Sequence, residues 1–498
     1  MRRAFLALLA LLLSAPVFSQ RREVHIVSAN DMHAAIWAFP QLAAIVDSLR
    51  VEYPELLVFS AGDNRTGDPL NDKYEIPAYP MVALMNQVGF DASALGNHDF
   101  DVHSLARLTG LSNFRYICAN MTSEPGTGIN TVPSQVFDVD GIRVGVVGVI
   151  QLNSHSIPST LPSNVDGLHF VPATDVVGQY EWMRCDCDVV ILLSHLGYAD
   201  DLDMARRFPW LDLIIGGHSH TQLKGDEREN GVLITQNKNK LTRVTHSTLV
   251  VDSGRVVSKR AEYIDVQTFP KRNRVVDEMV RFFSDDPHFS RVLALAEAPF
   301  RAREELAIMM CDALIEGCQA DMAVENNGGV RLDSLMGGNI TVRDVLEMDP
   351  FDNNVVMVEL TEQQIVRMLL SYCNNQLRRI PFVGGMRCVV TADESNPLMI
   401  KSLKLLTLDG KPLDKKRKYS VVTNNYVTDT SDIPQGSAIM LNKQTTDLIM
   451  HFLERKGTVN YAGQRRLQLA FPTVTAAILR GFSRAAESFR SILKIKHI

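Results

Sequence analysis

Five short apolar segments, each followed by polar residues and in most cases by glycine, constrain the fold of this chain more than any other feature. They lie at residues 24–27, 56–59, 92–95, 189–193 and 211–215. Apolar, β-branched runs of this length that end in polar residues are typical of buried strands. Helical patterns at 41–51 and 79–88 lie between some of them, and this alternation predicts a layered α/β domain.

The polar residues that follow these segments are of the types that bind metal ions. In chain order they are Asp31, His33, Asp63, Asn97, His195, His218 and His220. Ligands of α/β sheets bind beyond the carboxyl ends of the strands, so we expect these side chains to converge on one edge. Seven ligands exceed the needs of one tetrahedral ion and fit two divalent ions that share a carboxylate. Oxygen and nitrogen ligands without thiolate favour Zn, Mn or Fe over Ca.

Such a site predicts hydrolysis at phosphorus. Two divalent ions about 3.5–4 Å apart can activate a bridging water and hold both ends of an in-line displacement. His98 directly follows the predicted ligand Asn97, so it is placed to donate to a developing oxyanion or to a leaving oxygen. Asp101 lies three residues further on, where its charge could hold His98 protonated.

The ends of the chain carry signals of location rather than of fold. Arg2 and Arg3 precede an apolar run over 4–13 that is too short to span a bilayer, and Ser19 offers a cleavage point. We therefore expect a signal peptide and an exported protein, periplasmic or extracellular after cleavage. Residues 471–498 carry five basic residues and one acid, so they could form an amphipathic helix on an anionic membrane surface. The alternatives are a helix packed on its own domain or a frayed end.

The net charge excludes one class of partner, whereas the cysteines exclude little. The formal net charge of −6 argues against a nucleic-acid polymer as partner. The seven cysteines are scattered without CxxC pairs, and the one close pair, Cys185-x-Cys187, could bind metal or pair with another thiol but is weak evidence for either. Neither feature predicts an oligomeric state.

The ordered motifs D-x-H, G-D, G-N-H-D, H and G-H-S-H resemble those of the calcineurin-like metallophosphoesterases. More narrowly, the chain resembles the secreted 5′-nucleotidase family, which includes UDP-sugar hydrolases and 2′,3′-cyclic-nucleotide phosphodiesterases. The second half of the chain carries matching motifs, namely N-G-G-V-R at 327–331, G-N-I-T at 338–341 and D-P-F-D-N at 349–353. The resemblance covers residues 24–466, which is nearly the whole mature chain.

The resemblance implies a four-layer α/β/β/α metallophosphatase domain followed by an α+β substrate-specificity domain. The expected organisation is a signal peptide at 1–19, the metallophosphatase domain at 20–264, a linker with a helix at 265–299, the specificity domain at 300–470 and a basic tail at 471–498.

The resemblance also implies roles for individual residues. The ligands of one metal ion would be Asp31, His33, Asp63 and His220. The ligands of the other would be Asp63, Asn97, His195 and His218. His98 and Asp101 would act on the transition state. In the second domain, the substrate-binding residues would be Asn327 and Arg331, with Phe382 and Tyr426 as the two aromatic rings that sandwich a nucleobase.

We therefore expect a two-metal 5′-nucleotidase that acts on small nucleotides. One departure from the family keeps the substrate open, because the glycine-rich stretch that usually follows the second aromatic residue is absent after Tyr426. The alternatives are a UDP-sugar hydrolase, a 2′,3′-cyclic-nucleotide phosphodiesterase, a hydrolase of a non-nucleotide or sulfur-linked ester, and a binding protein without activity.

Overall fold

The structure of the protein is a computed structural model that describes residues 21–101, 105–351, 353–375, 380–392 and 400–470. The expected signal peptide and the expected basic tail lie outside these residues. Within the described ranges, no helix is long and apolar enough to span a membrane.

Two β-sheets form the centre of the first half of the chain. The strands are β1 (Arg22–Ala29), β2 (Leu57–Ser60), β3 (Ala92–Ala94), β4 (Arg115–Ile117), β5 (Met121–Ser123), β6 (Thr131–Val132), β7 (Ser134–Val139), β8 (Ile142–Ile150), β9 (Leu168–Phe170), β10 (Val189–His195), β11 (Leu213–Gly216), β12 (Arg228–Glu229), β13 (Val232–Thr235), β14 (Arg243–Asp252) and β15 (Arg255–Asp265). The first sheet has the order β15-β14-β1-β2-β3-β4-β6, the second has the order β12-β13-β11-β10-β8-β7, and β5 pairs with β9. Strands β1 to β4 are parallel, as are β8, β10, β11 and β13.

Helices cover the outer faces of both sheets. They are α1 (Phe39–Glu52), α2 (Pro69–Asp72), α3 (Tyr79–Val88), α4 (Leu105–Leu111), α5 (Ala173–Val176), α6 (Met183–Asp186) and α7 (Tyr198–Arg207). Short 3₁₀ helices add Ile36–Ala38, Asn97–Phe100, Pro162–Val165 and Val177–Tyr180. Apolar side chains of α1 and α3 pack on the first sheet, and those of α5 to α7 pack on the second. The expected α/β/β/α order of layers is thereby confirmed.

Strand β10 shows why a continuous apolar run is needed in this architecture. Successive side chains of a strand point to opposite faces, so a strand buried on both faces has no polar positions. Val189, Ile191 and Leu193 pack between the two sheets, whereas Val190 and Leu192 pack against the helices. All five are fully buried.

The second half of the chain is an α+β region. Its helices are α8 (Arg274–Ser284), α9 (Arg303–Cys318), α10 (Val342–Met348), α11 (Glu362–Asn375), α12 (Asn425–Thr430) and α13 (Thr445–Lys456), with 3₁₀ helices at Pro287–Ser290 and Asn327–Gly329. Its strands are β16 (Val292–Ala296), β17 (Met322–Glu325), β18 (Gly338–Thr341), β19 (Asn354–Thr361), β20 (Phe382–Gly384), β21 (Arg387–Ala392), β22 (Ile400–Leu406), β23 (Lys418–Asn424), β24 (Ala438–Gln444), β25 (Thr458–Val459) and β26 (Leu467–Ala470). The sheets have the orders β20-β17-β23-β19-β24, β18-β16-β25 and β22-β21-β26.

The segment that joins the halves is a helix that rests on the first half. Helix α8 packs against α1, and the side chain of Asn273 caps it by accepting a hydrogen bond from the Val276 amide at 3.0 Å. Strand β16 then pairs with β18 and β25, so the sheets of the second half begin at Val292. The seven cysteines are all within the described residues, and all are free thiols.

Candidate active site

The predicted metal ligands meet where the two sheets end, with contributions from both. Asp31, His33, Asp63 and Asn97 follow strands β1, β2 and β3 of the first sheet. His195 is the last residue of β10, and His218 and His220 follow β11, both in the second sheet. Face-to-face packing of the sheets thus brings together residues that are nearly 190 positions apart, as with His33 and His220, whose ring centroids are 5.1 Å apart.

Most of these residues occupy an unusual backbone conformation. Five of the seven have positive φ angles, namely Asp31 (47°), His33 (44°), Asp63 (52°), His218 (71°) and His220 (53°). Residues other than glycine rarely adopt such angles, and Asn, Asp and His tolerate them best. Strain of about 1–3 kcal/mol per residue persists only where the surrounding structure enforces it, and it clusters at ligand-binding sites. The sharp turns after the strands direct the side chains inwards.

Backbone carbonyls determine which nitrogen of each buried imidazole ring is left to bind a metal ion. The carbonyl oxygen of Ala61 lies 2.7 Å from His195 Nδ1, and that of Thr66 lies 3.1 Å from His33 Nδ1. A carbonyl oxygen can only accept, so both rings carry their proton on Nδ1. Nε2 is therefore the nitrogen of each ring that is left to bind a metal ion, which it does without a proton.

The donor atoms form compact groups that fit divalent cations. Ligand atoms of Asp31, His33 and His220 lie within 4.8 Å of one another, and so do those of a second group, Asp63, His195 and His218. A third such group, His33, Asp63 and His98, shares one residue with each of the other two. Nε2 of His195 is buried without a hydrogen-bond partner among the described residues, at 3.2 Å from a carboxylate oxygen of Asp63.

Two further contacts support this fit. Nε2 of His33 lies 3.1 Å from Nε2 of His220, which is 3.3 Å from a carboxylate oxygen of Asp31. Imidazole lone pairs and carboxylate oxygens that converge on one point can coordinate a cation there. The fold family implies that these cations are divalent metal ions. Asn97 joins the second group, because its Oδ1 lies 2.9 Å from Nδ1 of His218.

The charges around Asp63 explain why a fully buried carboxylate stays ionised. Burial raises the pKa of Asp63, but His195, His98 and His33 outweigh it and hold the pKa well below its usual range. For His33, burial and then the Arg331 guanidinium lower the pKa well below its usual value. Burial lowers the pKa of His195, but the carboxylate of Asp63 outweighs it and raises this pKa to about 10. The site thus combines an anionic centre with one neutral imidazole, that of His33, and one that must release a proton when a metal ion binds.

His98 and Asp101 form a hydrogen-bonded pair beside the metal-binding groups. His98 Nδ1 lies 2.7 Å from Asp101 Oδ2, and the backbone amide of His98 donates to Asp63 Oδ1 at 2.8 Å. Both side chains are mostly buried, with 14% and 12% of their surface exposed. The neighbouring Asp99 has a different role, because it accepts hydrogen bonds from the amides of Gly96 and Asp63 and holds the turn together.

The second half of the chain reaches this site through the segment that follows β17. The guanidinium of Arg331 lies 3.2 Å from Nε2 of His33 and 5.8 Å from the centre of the Phe351 ring. The Phe351 ring in turn stacks beside His98 at a centroid distance of 5.7 Å. Arg331 and Phe351 therefore place the second half directly over the predicted metal and catalytic residues.

A cavity of about 450 Å³ lies between the two halves. The predicted metal ligands and catalytic residues that line it are Asp63, Asn97, His98, Asp101, His218 and His220. From the second half, they include Asn326, Gly328, Arg331, Phe351, Asn353, Asn374 and Tyr426. The remaining wall comes from the segment 151–164, which follows β8.

Two of the predicted substrate-binding residues lie outside this wall. Phe382 is 5% exposed and packs in the apolar core of the second half, and Asn327 is not among the residues that line the cavity, although its neighbours Asn326 and Gly328 are. Sequence reasoning missed Phe351 as a cavity residue, although it lies within the quoted D-P-F-D-N motif. The position of the ring relative to His98 depends on contact between the two halves, which no local pattern encodes.

Comparison with known proteins agrees with this geometry. Residues 24–222 match the family model described as calcineurin-like phosphoesterase, and residues 291–434 match that of the 5′-nucleotidase C-terminal domain. Fold and site together define a metal-dependent hydrolase of phosphoric esters. The chain thus carries a calcineurin-like phosphoesterase domain followed by a 5′-nucleotidase C-terminal domain.

Similar proteins include Protein UshA of Yersinia enterocolitica, which is 26% identical over 81% of this chain and 85% of its own length. A 5′-nucleotidase of Vibrio cholerae is 25% identical over 69% of this chain and 74% of its own length. Among solved structures, a 5′-nucleotidase precursor from Thermus thermophilus has a similar fold, with a TM-score of 0.79 and 24% identity over 90% of this chain and 99% of its own. The sulfate thiohydrolase SoxB, also from Thermus thermophilus, has a TM-score of 0.73 and 18% identity over 86% of this chain and 82% of its own.

Proposed function

We propose that this protein is an exported 5′-nucleotidase that hydrolyses nucleoside 5′-monophosphates. One observation carries the proposal: a single cavity joins the metal-binding groups and the His98–Asp101 pair to Arg331 and Tyr426 of the second half. The volume of about 450 Å³ lies within the range that small-ligand sites occupy. The names of the similar proteins, UshA and 5′-nucleotidase, support a nucleotide substrate.

The proposal assigns two divalent ions, Zn, Mn or Fe, to the paired donor groups. The first would be held by Asp31, His33, Asp63 and His220, and the second by Asp63, Asn97, His195 and His218. When bound, such ions supply Lewis acidity at the phosphoryl oxygens and an activated water for in-line attack. The carbonyls of Ala61 and Thr66 orient the His195 and His33 rings for this purpose.

His98 is the proposed catalytic donor. Asp101 holds its Nδ1, so Nε2 is the atom available to stabilise charge on the phosphoryl group or to protonate the leaving oxygen. Arg331 is the nearest guanidinium on the opposite wall, and it supplies a fixed positive charge for the phosphate.

Tyr426 and Phe351 are the proposed aromatic contacts of the leaving nucleoside. Both line the cavity, whereas Phe382 is packed in the core. The asparagine side chains in the same wall, Asn326, Asn353 and Asn374, offer donors and acceptors to sugar hydroxyls or to the edges of a base.

The boundaries 1–19, 20–264, 265–299, 300–470 and 471–498 remain our proposal for a signal peptide, a catalytic domain, a linker, a specificity domain and a basic tail. Export is argued from the N-terminal sequence alone. It is tested by N-terminal sequencing of the protein recovered outside the cytoplasm, which we expect to begin directly after Ser19.

The decisive experiment is a hydrolysis panel with the metal-loaded full chain. We expect AMP to be cleaved with a kcat/KM at least about tenfold above those for ATP, UDP-glucose and 2′,3′-cyclic AMP, because the proposed Arg331 and aromatic contacts fit one phosphate and one nucleoside. A higher kcat/KM for UDP-glucose or the cyclic nucleotide would assign those activities instead. Activity on none of the four, with metal bound, would contradict the proposed function.

A further inference from the structure

The wall segment 151–164 does more than close the cavity, because it is hydrogen-bonded to the proposed catalytic residues. Thr160 Oγ1 donates to Asp101 Oδ1 at 3.4 Å, and Asp101 presents its other oxygen to His98 at 2.7 Å. Asn164 Nδ2 donates to Thr160 Oγ1 at 3.2 Å. A continuous chain of hydrogen bonds therefore runs from a cavity-lining amide to the imidazole.

The direction of this chain follows from the donors. A hydroxyl has one proton, and the oxygen of Thr160 already accepts from Asn164, so its proton is directed at Asp101. Asp101 is acceptor-only when ionised, and it receives one hydrogen bond on each oxygen. This fixes rotation of the carboxylate and, through Nδ1, the tautomer and orientation of His98.

The same segment is tied to the predicted metal-binding residues at two more points. Asn97 Nδ2 donates to the carbonyl of Ser159 at 3.2 Å, and the amide of Gln151 donates to the carbonyl of His195 at 3.0 Å. Thr160 itself is 3% exposed, so water competes little for its hydroxyl. The wall segment is thus anchored on both sides of the catalytic residues.

We propose that Thr160 is a positioning residue that makes His98 an effective acid toward poor leaving groups. In the step concerned, a water oxygen bonds to phosphorus while the P–O ester bond breaks, the electron pair of that bond stays on the departing oxygen, and this oxygen takes a proton from His98 Nε2. Asn164, which also lines the cavity, holds the Thr160 hydroxyl in this arrangement. The inference rests on the proposed phosphomonoesterase function. It concerns one step of that reaction, the departure of the alcohol.

Leaving-group acidity provides the test. A ribose hydroxyl is a poor leaving group and needs the proton, phenol needs it less, and p-nitrophenol departs as a stable anion. AMP, phenyl phosphate and p-nitrophenyl phosphate therefore form a graded series, and the two aryl esters make nearly the same contacts with the cavity. If proton donation is impaired, the loss in kcat is largest for AMP and smallest for p-nitrophenyl phosphate. A general structural defect lowers kcat for all three esters equally.

The variants are Thr160→Val, which keeps the shape and removes the hydroxyl, Thr160→Ser, which restores it, and the control Ser163→Ala. Ser163 is exposed in the same segment and does not line the cavity. With metal content matched to wild type, we expect Thr160→Val to lower kcat for AMP about tenfold with KM within about twofold, and to leave kcat for p-nitrophenyl phosphate within about twofold. Phenyl phosphate should fall between them, Thr160→Ser should recover most of the loss, and Ser163→Ala should match wild type.

Equal losses on all three esters, or no loss on AMP, would overturn the proposal. If the wild-type enzyme cleaves 2-glycerol phosphate but no nucleotide, the proposed nucleotide substrate is wrong. The Thr160 comparison then uses that alkyl ester against p-nitrophenyl phosphate, with the same expected pattern. The failure of one proposal is thus distinguished from the failure of the other.

Discussion

At the scale of single residues, the site depends on side chains whose backbone turns sharply after a strand. Asp31, His33 and Asp63 adopt positive φ angles that put their donor atoms into the space between the sheets. Asn, Asp and His accept this conformation at lower cost than most residues, so the chemistry and the backbone select the same residue types. A substitution here changes ligand type and turn geometry together.

His98 offers a test of catalysis that leaves the metal ligands in place. We expect His98→Ala to bind metal as wild type does and to lower kcat for AMP by about 10²–10⁴, because it removes the proposed proton donor. Metal content of the purified variant and steady-state kinetics measure the two effects. An unchanged kcat would remove His98 from the mechanism, whereas lost metal would make it a ligand.

Gly96 is the residue whose size matters most to the site. A Cβ at this position would lie 2.1 Å from Asp63 Oδ1 and 2.3 Å from the Asp63 amide nitrogen, so alanine must displace the shared carboxylate. We expect Gly96→Ala to destabilise the protein by about 1–3 kcal/mol and to weaken metal binding at least about tenfold.

Gly110→Ala is the matched control for this substitution. Gly110 lies in helix α4, and a Cβ there would meet nothing within 4 Å. Alanine is the better helix former, so stability should rise by up to about 1 kcal/mol. Urea unfolding and metal titration compare the two variants, and equal effects would show that Gly96 has no special relation to Asp63.

At the scale of elements, helix α12 and strand β20 explain which aromatic residue faces the cavity. Asn424 caps α12 by accepting a hydrogen bond from the Val427 amide at 2.9 Å, and Tyr426 lies in the first turn, at the cavity wall. Strand β20 pairs with β17 in the interior of the second half, so the pleat directs Phe382 into the core. The periodicity of a three-residue strand could not reveal this direction.

Tyr426→Ala and Phe382→Ala should therefore differ in kind. We expect Tyr426→Ala to raise KM for AMP about 5- to 150-fold, since base stacking contributes about 1–3 kcal/mol, with KM for p-nitrophenyl phosphate little changed. We expect Phe382→Ala to lower the free energy of unfolding by about 3–5 kcal/mol, as for buried aromatic residues. Kinetics on both esters and urea unfolding separate them, and a purely kinetic effect of Phe382→Ala would return it to the binding site.

At the scale of the whole molecule, the active site is assembled by contact between the two halves. Besides Arg331 over His33, Arg343 of helix α10 donates to the buried Asp68 at 2.6 Å. Burial raises the pKa of Asp68 to about 7, although the charge of Arg343 opposes this. A carboxyl whose pKa is raised on folding favours the folded state at low pH, and this contribution is lost as pH rises through about 7.

Arg343→Ala should make the protein more sensitive to alkaline pH. Without the guanidinium, the pKa of Asp68 rises further. Ionisation of this buried carboxyl at alkaline pH then lowers the free energy of unfolding by more than it does in the wild type. We expect the loss in unfolding free energy to be about 1 kcal/mol larger at pH 8 than at pH 5. The control is Arg274→Ala, an exposed arginine paired with Glu278, which should change stability by less than about 0.5 kcal/mol at either pH. A loss independent of pH would separate Arg343 from the titration of Asp68.

Much of the secondary structure could be predicted because it depends on local pattern. The apolar run at 189–193 predicted β10, and helix α3 has the predicted bounds, because side-chain burial along a strand or helix repeats with a short period. The metal-ligand candidates were also visible in the sequence, since each lies at the end of a strand or within a few residues after it and has a distinctive residue type.

The tertiary structure alone decided how these parts meet. His195 and His218 come from a different sheet than Asp31 and Asp63, and only the packing of one sheet on the other brings the four together. Phe351 over His98 and Thr160 on Asp101 likewise join residues separated by 253 and 59 positions. The strands, the helices and the residue types at their ends could be predicted because they depend on neighbouring residues. Long-range contacts decide which of these residues lie next to one another, and such contacts leave no periodic signal along the chain.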